Sequence, residues 1–373
     1  MNYINRIELS LSQRVKSLNW RIIGTLVCLI LIGFLMLYSA GSGSFRPWLI
    51  RQIVFVALFF PVMILIAVLD IKFWYKRAYM IYIIGLVMLI IVDVIGHTAL
   101  GATRWLRIGS FTLQPSEIMK VCTVLALARY FNDVEIEDVR SAKYLAIPFF
   151  IIATPVLLIF DQPDLGTASI LLFVGILILF VAGVKLWKFI AVGLTAIIAI
   201  PFLWIFALHE YQKQRIITFI NPNNDPLGSG YNIIQSKIAI GSGGIFGKGY
   251  LNGTQGQLDF LPEKQTDFIF TMLSEELGLI GCLITISLYC FLIFLSTMSA
   301  SKISHQYGRL LVIGVINILF IHMFINIGMT SGILPVVGAP LPLISYGGTI
   351  TATMLIGFGL ALNADLYKDS TIR

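Results

Sequence analysis

The sequence predicts an all-α polytopic membrane protein with about ten transmembrane helices. Of its 373 residues, 58% are hydrophobic and only 12% are charged, whereas charged residues make up about 25% of a typical soluble domain. Apolar runs recur along the whole chain, each near the roughly 20 residues that cross a bilayer. Composition therefore excludes a soluble or secreted protein and predicts a single membrane domain over residues 1–373.

Ten spans can be placed on these apolar runs. The first follows a polar, basic segment at residues 1–21, which is too long and polar for an ordinary signal peptide and is interpreted as a cytoplasmic lead-in. The last precedes a short tail at residues 366–373. The spans lie at residues 22–40, 48–69, 78–96, 113–131, 143–160, 165–182, 187–207, 267–297, 308–330 and 345–365.

Lysine and arginine residues predict the orientation. An even number of spans places both termini on one side, and basic clusters mark that side as cytoplasmic by the positive-inside rule. The opposing connections contradict the rule only mildly, through Arg46, Arg51, Arg104 and Arg107. The clusters are Arg6, Arg14, Lys16 and Arg21; Lys72, Lys76 and Arg77; Arg129, Arg140 and Lys143; Lys185 and Lys188; Lys302 and Arg309; and Lys368 and Arg373.

The connection at residues 208–266 is much longer than the others. Loops this long escape the positive-inside rule, so it is predicted to be extracytoplasmic although it is basic. Its stretch "GYNIIQSKIAI" is periodic and too apolar for a disordered segment, which predicts an ordered loop on the outer membrane surface. Its stretch "GSGGIFGKGYLNG" fits neither the P-loop nor the dinucleotide pattern. It is either backbone that approaches a ligand beside Lys248 or a cluster of turns.

Charge and cysteine usage exclude other classes. The net charge of +7 is interpreted as contact with lipid headgroups and as an orientation signal, with no nucleic-acid partner. The four cysteines all lie in apolar segments without CxxC spacing, which is typical of small core residues and not of disulfides or metal ligands. The histidines are scattered and form no zinc pattern.

Polar residues inside apolar segments are the first candidates for function. Glu117 and Lys120 are three residues apart, on one face of the fourth span. Because a lone charge at mid-bilayer costs about 3 kcal/mol, they either form a structural ion pair or line a polar cavity that receives a substrate. Upstream, Arg104 in "GATRWLRIG" either anchors the chain at the membrane interface or binds an anion.

Two further segments carry structural predictions. Asp161 and Asp164 lie in a very short turn, where Asp164 is predicted to cap the sixth span; a divalent cation site is the alternative. The stretch "SGILPVVGAPLPLISYGG" at residues 331–348 has three prolines and four glycines near membrane depth. Irregular backbone there must be buried in protein or line a cavity, so this segment is predicted to dip inward beside a polar cleft.

Asp267 stands at the threshold of the eighth span. Thr266 is predicted to cap that helix, with Asp267 in its first turn, where the macrodipole favours an acid. Glu263 and Lys264 gather at the same mouth, and a carboxylate at a dry mouth can serve as a general base. The residues leave three classes open: an enzyme acting on an anionic, lipid-linked substrate at the outer surface, a transporter with a proton-linked acid, and a scaffold with structural charges.

Several long motifs resemble the SEDS family (shape, elongation, division and sporulation). They are "GATRWLRIGSFTLQPSEIMK", "QPDLGTAS", "DPLGSGYNIIQSKIAIGSGGIFGKGYLNGTQGQLDFLPEKQTDFIF" and "GMTSGILPVVGAPLPLISYGG". The resemblance covers about residues 20–365 and is strongest to the family's rod-shape members, with its division members second. It implies a ten-span polymerase of lipid II in the bacterial inner membrane.

The resemblance also implies roles for the candidate residues. Asp267 matches the essential aspartate of the family's Pro-Glu-x-x-Thr-Asp-Phe motif, and it would take the proton of the acceptor 4-hydroxyl. The developing charge of the pyrophosphate leaving group needs cations, with Mg²⁺ or Mn²⁺ as a further candidate. The residues expected at the substrate are Arg104, Glu117, Lys120, Lys237, Lys248, Glu263 and Thr266.

One position departs from the family pattern, because Gln265 stands where many members have histidine. Any part of that histidine in proton transfer is therefore in doubt here. The partners implied are lipid II, a class B penicillin-binding protein and other membrane proteins of the elongation complex. Two alternatives to the polymerase stay open, namely a lipid II flippase and a non-enzymatic scaffold of that complex.

Overall fold

The computed structural model describes residues 10–99, 102–108, 111–139, 141, 143–206, 210–221 and 228–372. Long helices there coincide with all ten predicted spans, which confirms a polytopic helical membrane protein. The α-helices are, in chain order, α1 Leu11–Lys16, α2 Trp20–Ala40, α3 Trp48–Val68, α4 Ile71–Ile95, α5 Pro115–Asp133, α6 Ile136–Val139, α7 Ala146–Asp161, α8 Leu165–Val181, α9 Leu186–Phe206, α10 Glu210–Ile220, α11 Ser229–Gly243, α12 Thr254–Gln257, α13 Ile269–Ser301, α14 Gln306–Thr330 and α15 Gly348–Leu366.

The ten long helices differ in how much lipid they can face. Among the described residues, seven helices are long and apolar enough to cross a membrane by length and composition, and two shorter apolar helices, α8 and the first part of α9, add to them. Helix α5 is the least apolar of the ten, yet most of its side chains, including both Glu117 and Lys120, are buried. Polar residues are tolerated in α5 because protein, not lipid, surrounds it.

A small sheet connects α4 to α5, which the all-α prediction did not include. Its strands β1 His97–Ala99, β2 Ala102–Ile108 and β3 Phe111–Leu113 pair antiparallel in the order β1-β2-β3. Leu106 lies opposite Leu113 in this register. The short strand pairing satisfies backbone groups that would otherwise stay open at the end of the helix bundle, and it places Arg104 on the middle strand.

The long loop is ordered where it is described, at residues 210–221 and 228–266, as predicted. Helix α11 docks on two long helices through the buried Ser236. Its hydroxyl oxygen lies 2.7 Å from Oγ1 of Thr271 in α13 and donates a 2.7 Å hydrogen bond to the carbonyl of Thr330 in α14. Residues 222–227 lie outside the described residues. The loop is therefore packed on the bundle through α11.

The glycine-rich stretch docks into a break in α13. Gly278 has a φ of 65° inside this helix, so the backbone groups around it lack helical partners. A Cβ atom on Gly247 would lie 2.1 Å from the carbonyl oxygen of Glu276, which explains why glycine is required there. The contact supports the turn-cluster interpretation. In one direction, the N–H of Lys248 donates to the carbonyl of Glu275, and the N–H of Gly249 donates to that of Glu276. In the other, the N–H of Leu279 donates to the carbonyl of Gly244, and the N–H of Ile280 donates to that of Ile245.

The segment between α14 and α15 dips into the protein, as predicted. Its residues 341–345 are buried. A Cβ atom on Gly33 of α2 would lie 2.7 Å from the carbonyl oxygen of Leu343, and one on Gly166 of α8 would lie 2.6 Å from that of Val337. The segment therefore runs against the backbones of two helices, and we call residues 331–347 the re-entrant segment.

Asn363 of α15 closes the end of α3. Its buried side-chain nitrogen Nδ2 lies within hydrogen-bonding distance of three carbonyl oxygens, those of Ile66 at 3.2 Å, Ala67 at 3.0 Å and Leu69 at 2.5 Å. The last carbonyls of a helix have no partner within the helix. The Asn363 amide therefore provides the hydrogen-bond donor for the carbonyls at the end of α3, where this helix meets α15.

Replacing Asn363 by leucine should lower the free energy of unfolding by about 1–3 kcal/mol, because buried carbonyls lose their donor. The measurement is thermal unfolding of the purified protein in detergent or nanodiscs. Thr353→Val on the same helix is the matched control, since no hydrogen-bond partner of the buried Thr353 hydroxyl is found in the described part of the chain. Equal melting temperatures of the two variants would contradict the capping role.

Candidate active site

Asp267 lies in a closed turn before α13 and not in its first helical turn. The helix begins at Ile269, and Phe268 is its N-cap residue. The prediction that Thr266 caps the helix is therefore wrong. Its hydroxyl lies 3.2 Å from the main-chain oxygen and 3.0 Å from Oε2 of Glu263. Glu263 has a φ of 52° and its carbonyl accepts from the N–H groups of Thr266 and Phe268, so the chain turns on itself before the helix can start.

Three successive carbonyls hold this turn against the rest of the protein. The Gln265 carbonyl accepts a 2.8 Å bond from the N–H of Tyr346, and the Thr266 carbonyl accepts from the Ser345 hydroxyl. The Asp267 carbonyl accepts a 2.9 Å bond from the side-chain amide of Asn326 in α14. The main chain at Asp267 is thus fixed to the re-entrant segment and to α14.

The Asp267 side chain is half-buried and faces the re-entrant segment. A Cβ atom on Gly338, which has a φ of 73°, would lie 3.4 Å from Oδ2 of Asp267. The Asn326 amide also donates a 2.7 Å bond to the carbonyl of Ala339. The carboxylate is therefore held beside backbone whose position the same amide fixes.

Gln52 of α3 supports this arrangement from the other side. Its Nε2 lies 2.8 Å from Oγ1 of Thr351 and 3.4 Å from the carbonyl of Ser345, and its Oε1 accepts a 3.3 Å bond from the N–H of Gly347. Gln52 is buried and uses both ends of its amide. It holds the part of the re-entrant segment that binds the Asp267 turn.

Glu117 and Lys120 form a buried ion pair to which a third residue belongs. The Lys120 ammonium donates a 2.8 Å hydrogen bond to Oε1 of Glu117, and its Nζ lies 2.5 Å from Nε2 of His322 in α14. All three side chains are buried. These contacts support the interpretation of Glu117 and Lys120 as a structural ion pair. Whether the pair also serves a substrate depends on where it lies relative to Asp267.

Helix α14 connects the ion pair to Asp267. His322 and Asn326 are four residues apart, so they lie on one face at a rise of about 6 Å. His322 contacts Lys120 and Asn326 holds the Asp267 carbonyl. Lys120 and Asp267 are therefore bound at successive turns of one helix, on a continuous polar face.

Arg104 and Asp164 form a second polar contact near the sheet. Asp164 caps α8, as predicted, by accepting a bond from the N–H of Thr167. It also accepts from Nε2 of Gln114 at 3.1 Å and lies 3.7 Å from Nη1 of Arg104, whose Nε donates to the carbonyl of Gln162. Arg104 thus binds the turn that joins α7 to α8.

The two lysines of the long loop have different surroundings. Lys248 donates 2.7 Å bonds to Oε1 of Glu275 and to the hydroxyl of Thr254, so its charge is matched within the protein. Lys237 is exposed, and a Cβ atom on Gly332 would lie 2.7 Å from its Nζ. Lys237 therefore lies along the first turn of the re-entrant segment.

The Lys248 contact generates a prediction about stability. Glu275 is fully buried and also accepts from the main-chain N–H of Gln255, so Glu275→Gln and Lys248→Met should each lower the free energy of unfolding by about 1–3 kcal/mol. Combining them should add less than the sum, because one contact is lost in both. Thermal unfolding of the single and double variants measures this coupling. Full additivity, with a raised KM for Lys248→Met alone, would instead assign Lys248 to the substrate.

Four residues of this site were missed by sequence reasoning, namely Gln52, His322, Asn326 and Ser345. The first three are polar residues inside apolar spans, and such residues mark functional or structural polar sites in membrane proteins. That signal identifies the residues but not their partners. Their partners come from helices and turns far away in the chain.

Comparison with known proteins agrees with the motifs. The family model described as "Cell cycle protein" (FtsW, RodA, SpoVE) matches residues 19–370. The Escherichia coli (strain K12) protein "Peptidoglycan glycosyltransferase MrdB" is 43% identical over 346 residues, which cover 92% of each chain. The chain is thus a polytopic helical membrane protein that is similar to peptidoglycan glycosyltransferases. It belongs to the FtsW/RodA/SpoVE family, the SEDS family that its motifs resemble.

Solved structures give the same fold. A chain from "Structural coordination of polymerization and crosslinking by a peptidoglycan synthase complex" has a TM-score of 0.82 at 30% identity, covering 95% of this chain and 99% of that one. The Thermus thermophilus rod shape determining protein RodA has a TM-score of 0.72 at 27% identity with the same coverage. The overall fold of this chain is therefore shared with solved members of the family.

Proposed function

We propose that this chain polymerises lipid II during cell elongation and rod-shape maintenance, with Asp267 as the general base. The class of activity is carried by the family: the chain is a peptidoglycan glycosyltransferase. The observation that supports Asp267 as the base is the fixed turn, in which three consecutive carbonyls are bound by Tyr346, Ser345 and Asn326. Such fixation keeps a reacting group within the small tolerance that catalysis requires.

The reaction joins two lipid-linked sugars. The oxygen of the acceptor 4-hydroxyl forms a bond to C1 of the donor sugar, while the bond between C1 and the pyrophosphate oxygen breaks. The hydroxyl proton passes to the Asp267 carboxylate, and undecaprenyl pyrophosphate leaves with the bonding electron pair. A sugar hydroxyl is a poor nucleophile, so a base near its proton lowers the barrier.

The leaving pyrophosphate needs positive charge, and the candidate cations are not equally available. Arg104 and Lys248 already bind protein groups, Arg104 at the Gln162 carbonyl and Lys248 at Glu275. Lys237 is exposed, which suits an incoming anionic headgroup. Lys120 of α5 contacts His322 of α14, one turn from the Asn326 that binds the Asp267 carbonyl, so we assign Lys120 to the electrostatics of the reaction. Glu263 and Thr266 stay proposed contacts to the acceptor sugar.

A divalent cation stays a proposal that the protein alone does not support. The described residues contain no group of three or more His, Cys, Asp or Glu side chains that could hold a metal. Mg²⁺ is usually bound through one or two carboxylates together with substrate phosphates, so Mg²⁺ or Mn²⁺ would be held mainly by the pyrophosphate. Activity measured with a chelator and after metal is restored tests the requirement.

The setting of the enzyme completes the proposal. We place it in the bacterial inner membrane with both termini cytoplasmic and the loop of residues 208–266 outside, on the basis of the Lys/Arg distribution. A class B penicillin-binding protein and other elongation-complex membrane proteins are the proposed partners. The likeness to a chain from a peptidoglycan synthase complex supports such an assembly. A flippase or a scaffold is the alternative, and neither makes glycan from lipid II.

Asp267→Asn should lower polymerisation by at least the ~100-fold typical of losing a general base. The fold should survive, because the bonds from Asn326, Ser345 and Tyr346 all go to main-chain oxygens. Glycan chain length made by purified protein from lipid II is the measurement, with the melting temperature recorded beside it.

Asp259→Asn is the matched control for this experiment. Asp259 is an exposed acid of the same loop that pairs with Lys264 at 2.7 Å, so its amide should keep activity near the wild-type level. Long glycan from purified Asp267→Asn would refute the general-base assignment. Loss of binding to lipid II in that variant would instead assign Asp267 to recognition.

Lys120→Met is expected to remove activity, but it also leaves Glu117 buried and unpaired, which costs several kcal/mol. The double variant Glu117→Gln/Lys120→Met avoids this cost. It should melt near the wild-type temperature and lose about 10- to 100-fold in polymerisation rate, because one cation near the leaving group is gone. An active double variant would make the pair purely structural.

A further inference from the structure

We propose that His322 is a positioning residue for Lys120: its Nε2 accepts a hydrogen bond from the Lys120 ammonium and fixes the direction of that charge in the site. The inference deepens the proposed function and rests on it. The Nζ–Nε2 distance of 2.5 Å and the complete burial of Lys120 are its starting point.

The geometry determines which atom donates. Lys120 carries only donors, and it already gives one hydrogen bond to Oε1 of Glu117 at 2.8 Å. A contact between Nζ and Nε2 is attractive only if Nε2 has a lone pair, because two N–H groups facing each other repel. With Lys120 charged, the proposal therefore places the ring proton of His322 on Nδ1.

An ammonium on a four-carbon chain has many orientations, so its direction is set by what surrounds it. Glu117 sits one turn away on the same helix, and both belong to α5. The contact with His322 is made from a different helix, α14. Together the two contacts hold Nζ between α5 and α14.

The link to the reaction runs along α14. One turn beyond His322, Asn326 holds the carbonyl of Asp267 and that of Ala339. Two polar side chains of one rigid helix thus set the position of the proposed base and of the proposed cation. A displacement of about 1 Å in such groups can cost on the order of 100-fold in rate.

The test compares two substitutions at position 322 in the full-length protein. His322→Gln keeps an acceptor oxygen that reaches toward Lys120, whereas His322→Phe keeps a ring and removes the acceptor. We expect His322→Phe to lower kcat by about 10- to 100-fold with little change in KM, and His322→Gln to recover most of this loss. Lipid II polymerisation by folded, monodisperse protein is the assay.

A control separates this role from the loss of any buried polar group. Ser296→Ala on α13 removes a buried hydroxyl for which the described residues provide no partner, and it should leave kcat unchanged. If His322→Gln and His322→Phe lose the same activity, or if neither loses any, the acceptor role is refuted. The proposed function is judged separately by Asp267→Asn.

A double-mutant cycle tests whether His322 acts through Lys120. In the Glu117→Gln/Lys120→Met background, His322→Phe should cause no further loss, because the group that it positions is absent. A further loss as large as in the wild type would refute the proposal. So would a fully active background, since Lys120 would then have no part in the reaction.

The ring tautomer offers a readout that does not depend on activity. In ¹⁵N-histidine-labelled protein, the signal that disappears in His322→Gln identifies His322. It should report an unprotonated Nε2 and a protonated Nδ1, and it should shift when Lys120 is replaced together with Glu117. The opposite tautomer would refute the hydrogen bond from Lys120.

Discussion

The site depends on one side-chain amide, that of Asn326. Its Nδ2 hydrogens are both used, one by the carbonyl of Asp267 and one by that of Ala339. A carbonyl buried without a donor costs about 1–3 kcal/mol. Asn326 of α14 therefore binds both the turn before α13 and the re-entrant segment, and it reinforces the direct bonds that Tyr346 and Ser345 make to that turn.

The buried polar face of α14 also explains why an apolar bundle keeps charges. An ion pair in a low-dielectric interior must be well matched, since removing two ions from water is expensive. Lys120 meets this demand through Glu117 on its own helix, α5, and through His322 on α14. The same helix fixes Asp267 through Asn326, so the buried charged groups and the Asp267 turn share one rigid support. Breakage of the glycine-rich contact at Gly278 would loosen α13, but not this face.

The sequence predicts the ten helices because apolar runs near the length that crosses a bilayer recur along the chain, although α5 is the least apolar of the ten and is buried in protein. It also predicts the Asp164 cap and the inward dip of the re-entrant segment, which depend on local residue types. The Thr266 cap was wrong because the left-handed conformation of Glu263 closes a turn first, and tertiary bonds stabilise that conformation. The roles of His322 and Asn326 could not be predicted, since their partners lie on elements distant in sequence. The strands β1, β2 and β3 were also not predicted, although they pair with their neighbours in the chain.

The departure at position 265 follows from how the turn is held. The Gln265 main-chain oxygen binds Tyr346, while its side chain donates a 3.1 Å bond to Oε2 of Glu263. Both contacts are available to any residue with a carbonyl and a side-chain donor, which histidine also has. The turn therefore does not distinguish the two residues, and the fixed position of Asp267 does not depend on the choice. An aspartate held through its main chain leaves its neighbours free to vary, because the structural bonds are made by atoms that every residue possesses.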